Sequence, residues 1–184
     1  MRLYILLPAT ATSSDHHNKM ASGLHFIGLL CLTSGLWIGA NAQCGKKSGN
    51  CPATCPTGWI PFGQNCFLFQ LGEMDWATAE RFCTSLGGNL ASIQTPEVYA
   101  FIRDLIFRST NSQKATWVGG YDAAKEGVWL WSDGSKWDFK GWAAGEPNNV
   151  GRNENCMHIN FAGRDYVNDS DCASKNSVIC AKRL

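Results

Sequence analysis

The residues best equipped for chemistry lie in one turn-rich stretch and in the two short segments that follow it. Glu146-Pro147-Asn148, then Glu154 just before Cys156, then Asn168-Asp169 shortly before Cys172, collect three carboxylates and two side-chain amides. All are hard oxygen donors. Ca²⁺ takes about six to eight oxygens, and three carboxylates set against its double charge leave a weakly anionic site. Zinc would call for nitrogen and sulfur, and in an oxidising compartment the neighbouring cysteines are wanted as disulfides. The plainer reading is that polar residues fill a polar loop. Against it, a Cys156–Cys172 bridge, if formed, would lay the Glu154 and Asn168-Asp169 segments side by side. Pro147 would fix the direction of its neighbours, and a cis Glu146-Pro147 bond would turn both flanking side chains to one side.

The elements that must position these residues are short and mixed in type. Trp59 to Leu71 places aromatic and β-forming residues around Gly63-Gln64-Asn65, which predicts an opening hairpin. A first helix has Asp75 as N-cap, with Trp76, Ala79, Phe82, Cys83 and Leu86 at helical spacing before Gly87-Gly88. A second has Thr95 as N-cap, Pro96 at its first position and Val98, Phe101, Ile102, Leu105 and Ile106 on one face. Beyond Ser109 come short β-like pieces, interrupted by a long irregular stretch from Ser132 to Glu154. Helices first and small strands second predict an α+β fold with a functional or ion-ordered loop. Trp117, Trp129, Trp131, Trp137 and Trp142 could offer flat stacking platforms, but aromatics at strand spacing are more often core. His158, on a predicted strand between Met157 and Ile159, reads as a surface or hydrogen-bonded histidine, because nothing supplies it with a partnered nucleophile.

The amino end has a different character. The uncharged run from Leu24 to Ala40, followed by Ala40-Asn41-Ala42, reads as a signal peptide over 20–42 that leaves Gln43 as the mature terminus. It is shorter than the roughly 20 residues of a spanning helix and carries Thr33 and Ser34, so no membrane anchor is expected. Residues 1–19 fit an upstream extension, with Met20 the better start, and His16-His17 is then no metal site. Of the nine cysteines, Cys31 leaves with this leader and the remainder is even. Loss of Arg2, Asp15 and Lys19 also takes the formal charge from +1 to zero, which leaves no basic footprint for nucleic acid. An even cysteine set in a secreted chain implies a disulfide framework. Residues 43–54 form a short Cys-containing segment, and the packed domain spans 55–184.

Residues 55 to 180 resemble a long-form C-type lectin-like domain. The matching elements are Cys55, Cys66, Cys83, Trp117-Val118-Gly119-Gly120 in place of Trp-Ile-Gly-Leu, Glu146-Pro147-Asn148, Cys156, Val167-Asn168-Asp169, Cys172 and Cys180. The resemblance implies two helices with small antiparallel sheets, a long Ca²⁺-binding loop, and the bridges Cys55–Cys66, Cys83–Cys180 and Cys156–Cys172. It makes Glu146, Asn148, Glu154, Asn168 and Asp169 the ligands of a principal Ca²⁺ and of a sugar. Glu-Pro-Asn goes with glycans whose 3- and 4-hydroxyls are equatorial: mannose, N-acetylglucosamine or fucose, as on microbial and cell surfaces. At the auxiliary Ca²⁺ site Asp122, Glu126 and Glu154 match, but Asn149 and Asn155 stand where acidic residues are common, and two charges are lost. Val167 replaces a tryptophan that is not a ligand.

The expected function is that of a secreted, calcium-dependent lectin of the mannose type, acting by reversible coordination and not as an enzyme. The short secreted form also resembles fish type II antifreeze proteins, which makes ice the alternative ligand. Cys44 and Cys51 remain over; they would close a small intrachain loop, or cross-link chains into a homo-oligomer whose avidity offsets weak single sites. Asn168-Asp169-Ser170 is also a glycosylation sequon, expected to stay unmodified because Asn168 would face the ion beside a disulfide.

Overall fold

The computed structural model describes residues 54–184. The extension 1–19, the signal peptide 20–42, all but the last residue of segment 43–54 and the Cys44–Cys51 pairing lie outside the described residues.

Strands β1 (Ile60–Phe62) and β2 (Asn65–Met74) form the opening hairpin, tighter than its sequence suggests, because Phe62 pairs directly with Asn65 across a two-residue turn. Gly63 takes φ of 59° there, a conformation that costs glycine little. Helix α1 (Trp76–Ser85) starts where the Asp75 carboxylate accepts the Thr78 N–H at 2.8 Å. Lys175 donates to the other oxygen of Asp75 at 2.7 Å and ties the helix start to a distant turn. Ala79 and Cys83 are buried, whereas Leu86 ends up exposed because it is the residue that caps the helix. Helix α2 (Pro96–Thr110) is capped by Thr95 and closed by Asn111 in the left-handed region, with Ile102 and Ile106 fully buried.

A two-residue strand, β3 (Asn89–Leu90), follows α1 and is too short for periodicity to reveal. Strands β4 (Thr116–Tyr121), β5 (Leu130–Trp131), β6 (Cys156–Ile159), β7 (Val167–Ser170) and β8 (Asn176–Arg183) complete the set. The small antiparallel ladders are linked into one sheet of order β1-β2-β8-β4-β6-β7, with β3 beside β8 and β5 beside β4. The link is the single parallel pairing, between β4 and β8, while β8 runs antiparallel to β2 on its other side. Three disulfides secure this arrangement: Cys55–Cys66, Cys83–Cys180 and Cys156–Cys172. Cys83 and Cys180 lie 97 residues apart, and closing so long a loop removes about 4–5 kcal/mol of chain entropy from the unfolded state.

The irregular stretch between β5 and β6 rests on aromatic rings. Trp129 and Trp131 are buried, and Trp137 and Trp142 pack half-buried against them, with ring centroids 4.6 Å apart for Trp129 and Trp142 and 4.5 Å for Trp131 and Trp137. Trp117 is fully buried in the other part of the core. Trp117, Trp129 and Trp131 are core, as most of these aromatics are expected to be, whereas Trp137 and Trp142 lie half-buried in the irregular stretch against it. The glycine pair in β4 has a steric reason. A Cβ placed on Gly120 would lie 2.6 Å from Sδ and 2.9 Å from Cβ of Met157, closer than atoms can pack.

Replacing Gly120 with leucine therefore forces Met157 and the tryptophans behind it apart. The expected loss is about 1–3 kcal/mol, the usual cost of overpacking, read as a lower urea midpoint with an unchanged m-value.

Candidate functional site

Asp169 on β7 is 1% exposed, and its carboxylate grips the long loop by the backbone. Oδ1 accepts the N–H of Asn148 at 3.1 Å and Oδ2 accepts the N–H of Asn149 at 2.8 Å. Just beyond them the chain turns through Asn149 at φ of 45°, which asparagine tolerates better than most residues. Val150 N–H is shared between Oδ1 of Asn148 at 3.1 Å and Oε2 of Glu154 at 2.8 Å. Ala143 N–H donates to the Val167 carbonyl at 3.1 Å, and Glu146 N–H to the Ala143 carbonyl at 3.0 Å. The Glu146-Pro147 bond is cis.

This network brings Asn148, Glu154 and Asp169 together. Glu146 lies beside them, near the Asp169 and Glu154 carboxylates, and the Tyr166 hydroxyl donates to its Oε1 at 3.0 Å; its Oε2 is buried without a hydrogen-bond donor. Asn168 is buried beside Asp169 but stays out of the loop's hydrogen bonds, because its amide N–H turns to the Asp169 carbonyl. Sequence reading passes over Tyr166. The signal that could have found it is an aromatic residue one position ahead of Val167, which is itself buried in the core.

The residues of the second set behave differently. Asp122 is buried, accepting the Gly127 N–H at 2.8 Å through Oδ2 while Oδ1 has no partner, and its N–H donates to the Asn155 carbonyl at 3.1 Å. The Asn149 side chain donates to the Glu126 carboxylate and accepts the Glu154 N–H at 3.0 Å. An amide thus meets Glu126 where a carboxylate would have needed a cation between the two.

Charge is crowded in the first set. Burial pushes the Glu146 carboxyl above its ordinary range, the Tyr166 hydroxyl opposes this, and the Asp169 and Glu154 carboxylates add to it. Glu154 is raised by burial and by Asp169 and Asp171, against the pull of the Val150 N–H. Asp122 is raised chiefly by burial. Clustered anions held partly out of water are the setting that a divalent cation relieves, and the donors are all hard oxygens, so the set fits Ca²⁺ by chemistry. Among the described residues no three His, Cys, Asp or Glu side chains converge into a metal cluster, so an ion here would depend on the asparagine oxygens as well.

The model of the Lectin C-type domain matches residues 72–182, which carry both helices, the long loop and every carboxylate described above. The chain belongs to the C-type lectin domain family. It is 44% identical to the galactose-specific lectin nattectin of Thalassophryne nattereri, over 90% of this chain and 100% of that protein. It is 34% identical to a type-2 ice-structuring protein of Hemitripterus americanus, over 78% of this chain and 83% of that protein. The solved structure of herring type II antifreeze protein superposes with a TM-score of 0.66 at 35% identity, covering 71% of this chain and 99% of that one. The C-type lectin domain family is one of binding domains and not of enzymes.

His158 differs from its sequence reading. It is only 4% exposed and neither ring nitrogen has a hydrogen-bond partner, because β6 runs between β4 and β7 and presses the imidazole against the Trp117 and Phe161 rings. Burial drives its pKa down to about 4, only partly opposed by Asp169. The unfolded chain, with an ordinary histidine, takes up a proton that the folded one refuses. Stability from this group is present above about pH 6.5 and is lost as pH falls toward 4, by about 3 kcal/mol in all. Urea unfolding in EDTA should show this as a wild-type slope that flattens in His158→Phe across that window.

Proposed function

We propose that this chain is a secreted, calcium-dependent lectin for glycans with equatorial 3- and 4-hydroxyls, with Glu146, Asn148, Glu154, Asn168 and Asp169 holding the ion. The observation that carries the reading is the buried, partnerless Oε2 of Glu146 beside the Glu154 and Asp169 carboxylates. When bound, Ca²⁺ would supply coordination to two adjacent sugar hydroxyls. Glu146 and Glu154 would accept the hydroxyl protons, and the amide N–H groups of Asn148 and Asn168 would donate to the remaining lone pairs, which orders donors and acceptors around the sugar. Asn168 would use its second amide proton for this, the first being given to the Asp169 carbonyl. Asn149, committed to Glu126 and Glu154, leaves the auxiliary set of Asp122, Glu126, Asn149 and Asn155 short of charge for a second ion.

Secretion is supported by the apolar run of residues 24–40 and by three disulfides, which form in oxidising compartments. Among the described residues no helix is long and apolar enough to cross a membrane. Glu146-Pro147-Asn148 favours mannose-like sugars, whereas nattectin is named for galactose. Similarity to ice-structuring proteins supports the second reading, ice binding through the exposed loop around Pro147, Asn148 and Val150.

Immobilised mannose should retain the protein in Ca²⁺ and release it in EDTA, with galactose a weaker competitor. Glu146→Gln combined with Asn148→Asp should shift the mannose-to-galactose preference by about tenfold toward galactose, about 1.4 kcal/mol. Retention indifferent to EDTA overturns the mechanism, and ice-crystal shaping without sugar retention establishes the second reading. On a non-reducing gel the protein should run as a monomer, with Cys44 bridged to Cys51; a covalent dimer would assign these cysteines to a homo-oligomer.

A further inference from the structure

We propose that Tyr166 is a positioning residue that selects which oxygen of Glu146 is presented to the ion and sugar. This inference rests on the reading of the loop as a Ca²⁺-dependent sugar site.

Val167 is 2% exposed and its carbonyl accepts the Ala143 N–H, so the start of β7 is fixed both to the core and to the base of the long loop. The carbonyl of Tyr166 accepts the Phe161 N–H at 3.3 Å, which closes the turn ahead of the strand. With both flanks held, the phenol projects across the loop base, packed at a tilt against the Phe161 ring with centroids 5.8 Å apart. Its hydroxyl lies 3.0 Å from Oε1 of Glu146 and 3.4 Å from the Ala144 carbonyl. A phenol has one proton to give, and the nearer, charged acceptor takes it.

The consequence falls on Glu146. One carboxylate oxygen is satisfied by Tyr166 and the other is buried with no partner, so the two oxygens are no longer equivalent. Without the hydroxyl, no hydrogen-bond donor among the described contacts holds this carboxylate against turning about its last bond, and its other neighbours, Asp169 and Glu154, are like-charged. A ligand whose orientation is fixed before binding loses less freedom on binding, which is how one hydrogen bond away from the ion strengthens the site.

The test is calorimetric titration of Ca²⁺ into metal-free protein, for wild type, Tyr166→Phe, Glu146→Ala and the double variant. Tyr166→Phe keeps the ring and its packing on Phe161 and removes only the donor. It should weaken Ca²⁺ binding about tenfold, the loss expected when a metal ligand is deprived of its outer hydrogen-bond partner, yet change it less than about twofold when Glu146 is already alanine. In EDTA, Tyr166→Phe should also speed proteolysis within residues 143–155, since the loop base loses a tie whether or not an ion is present. Ca²⁺ affinity within about twofold of wild type overturns the inference. So does an equal loss in the Glu146→Ala background, which would mean that the hydroxyl acts elsewhere than on Glu146. A wild-type protein that takes up no Ca²⁺ overturns the lectin reading together with the inference, whereas wild-type binding with an unchanged Tyr166→Phe overturns the inference alone.

Discussion

A buried carboxylate that accepts two successive backbone N–H groups is the tie on which the site depends. Asp169 has almost no access to water, so its charge must be met by donors inside the protein, and the amides of Asn148 and Asn149 are those donors. Because both belong to the loop and Asp169 belongs to the sheet, the requirement to satisfy one side chain fixes the position of a segment with no regular structure. The contacts of Asn148, Val150 and Glu154 follow from the turn so placed.

Beneath that tie the architecture is conservative in its forces. Strand β8 is the shared element, paired with β2 on one side and β4 on the other, and the Cys83–Cys180 bridge anchors it to α1. The Cys156–Cys172 bridge secures β6 and β7 at the end where Glu154 approaches Asp169. Ile102 and Ile106 of α2 share one buried cluster with Val118, Met157, Ile159 and Val167 of β4, β6 and β7, so the strands that border the crowded carboxylates are themselves part of the packed core.

Much of this was legible in the residues. Asp75 and Thr95 announced helix starts because an N-cap needs a particular side chain at a particular step. The tryptophans announced core because rings so large seldom stay outside. Leu86 and His158 were not legible, for opposite reasons. Leu86 obeys the helical period but falls on the residue where the helix stops, and His158 is polar by type yet occupies an inner strand. Strand β3 exists only through its pairing with β8, a contact between residues far apart in sequence. At the site, oxygen donors could be named from spacing and resemblance, but not Asn168's turn toward the Asp169 carbonyl, nor the reach of Tyr166 to Glu146.

The aromatic bed under the loop has an optical consequence. Trp129, Trp131, Trp137 and Trp142 lie near enough for their transitions to couple, and Trp142 stands next to Ala143, the residue that joins the loop to β7. Light absorbed by any of the four is shared among rings whose mutual angles depend on how the loop lies. The domain therefore carries an intrinsic spectroscopic gauge at the base of its own site, readable by near-ultraviolet circular dichroism without an added label.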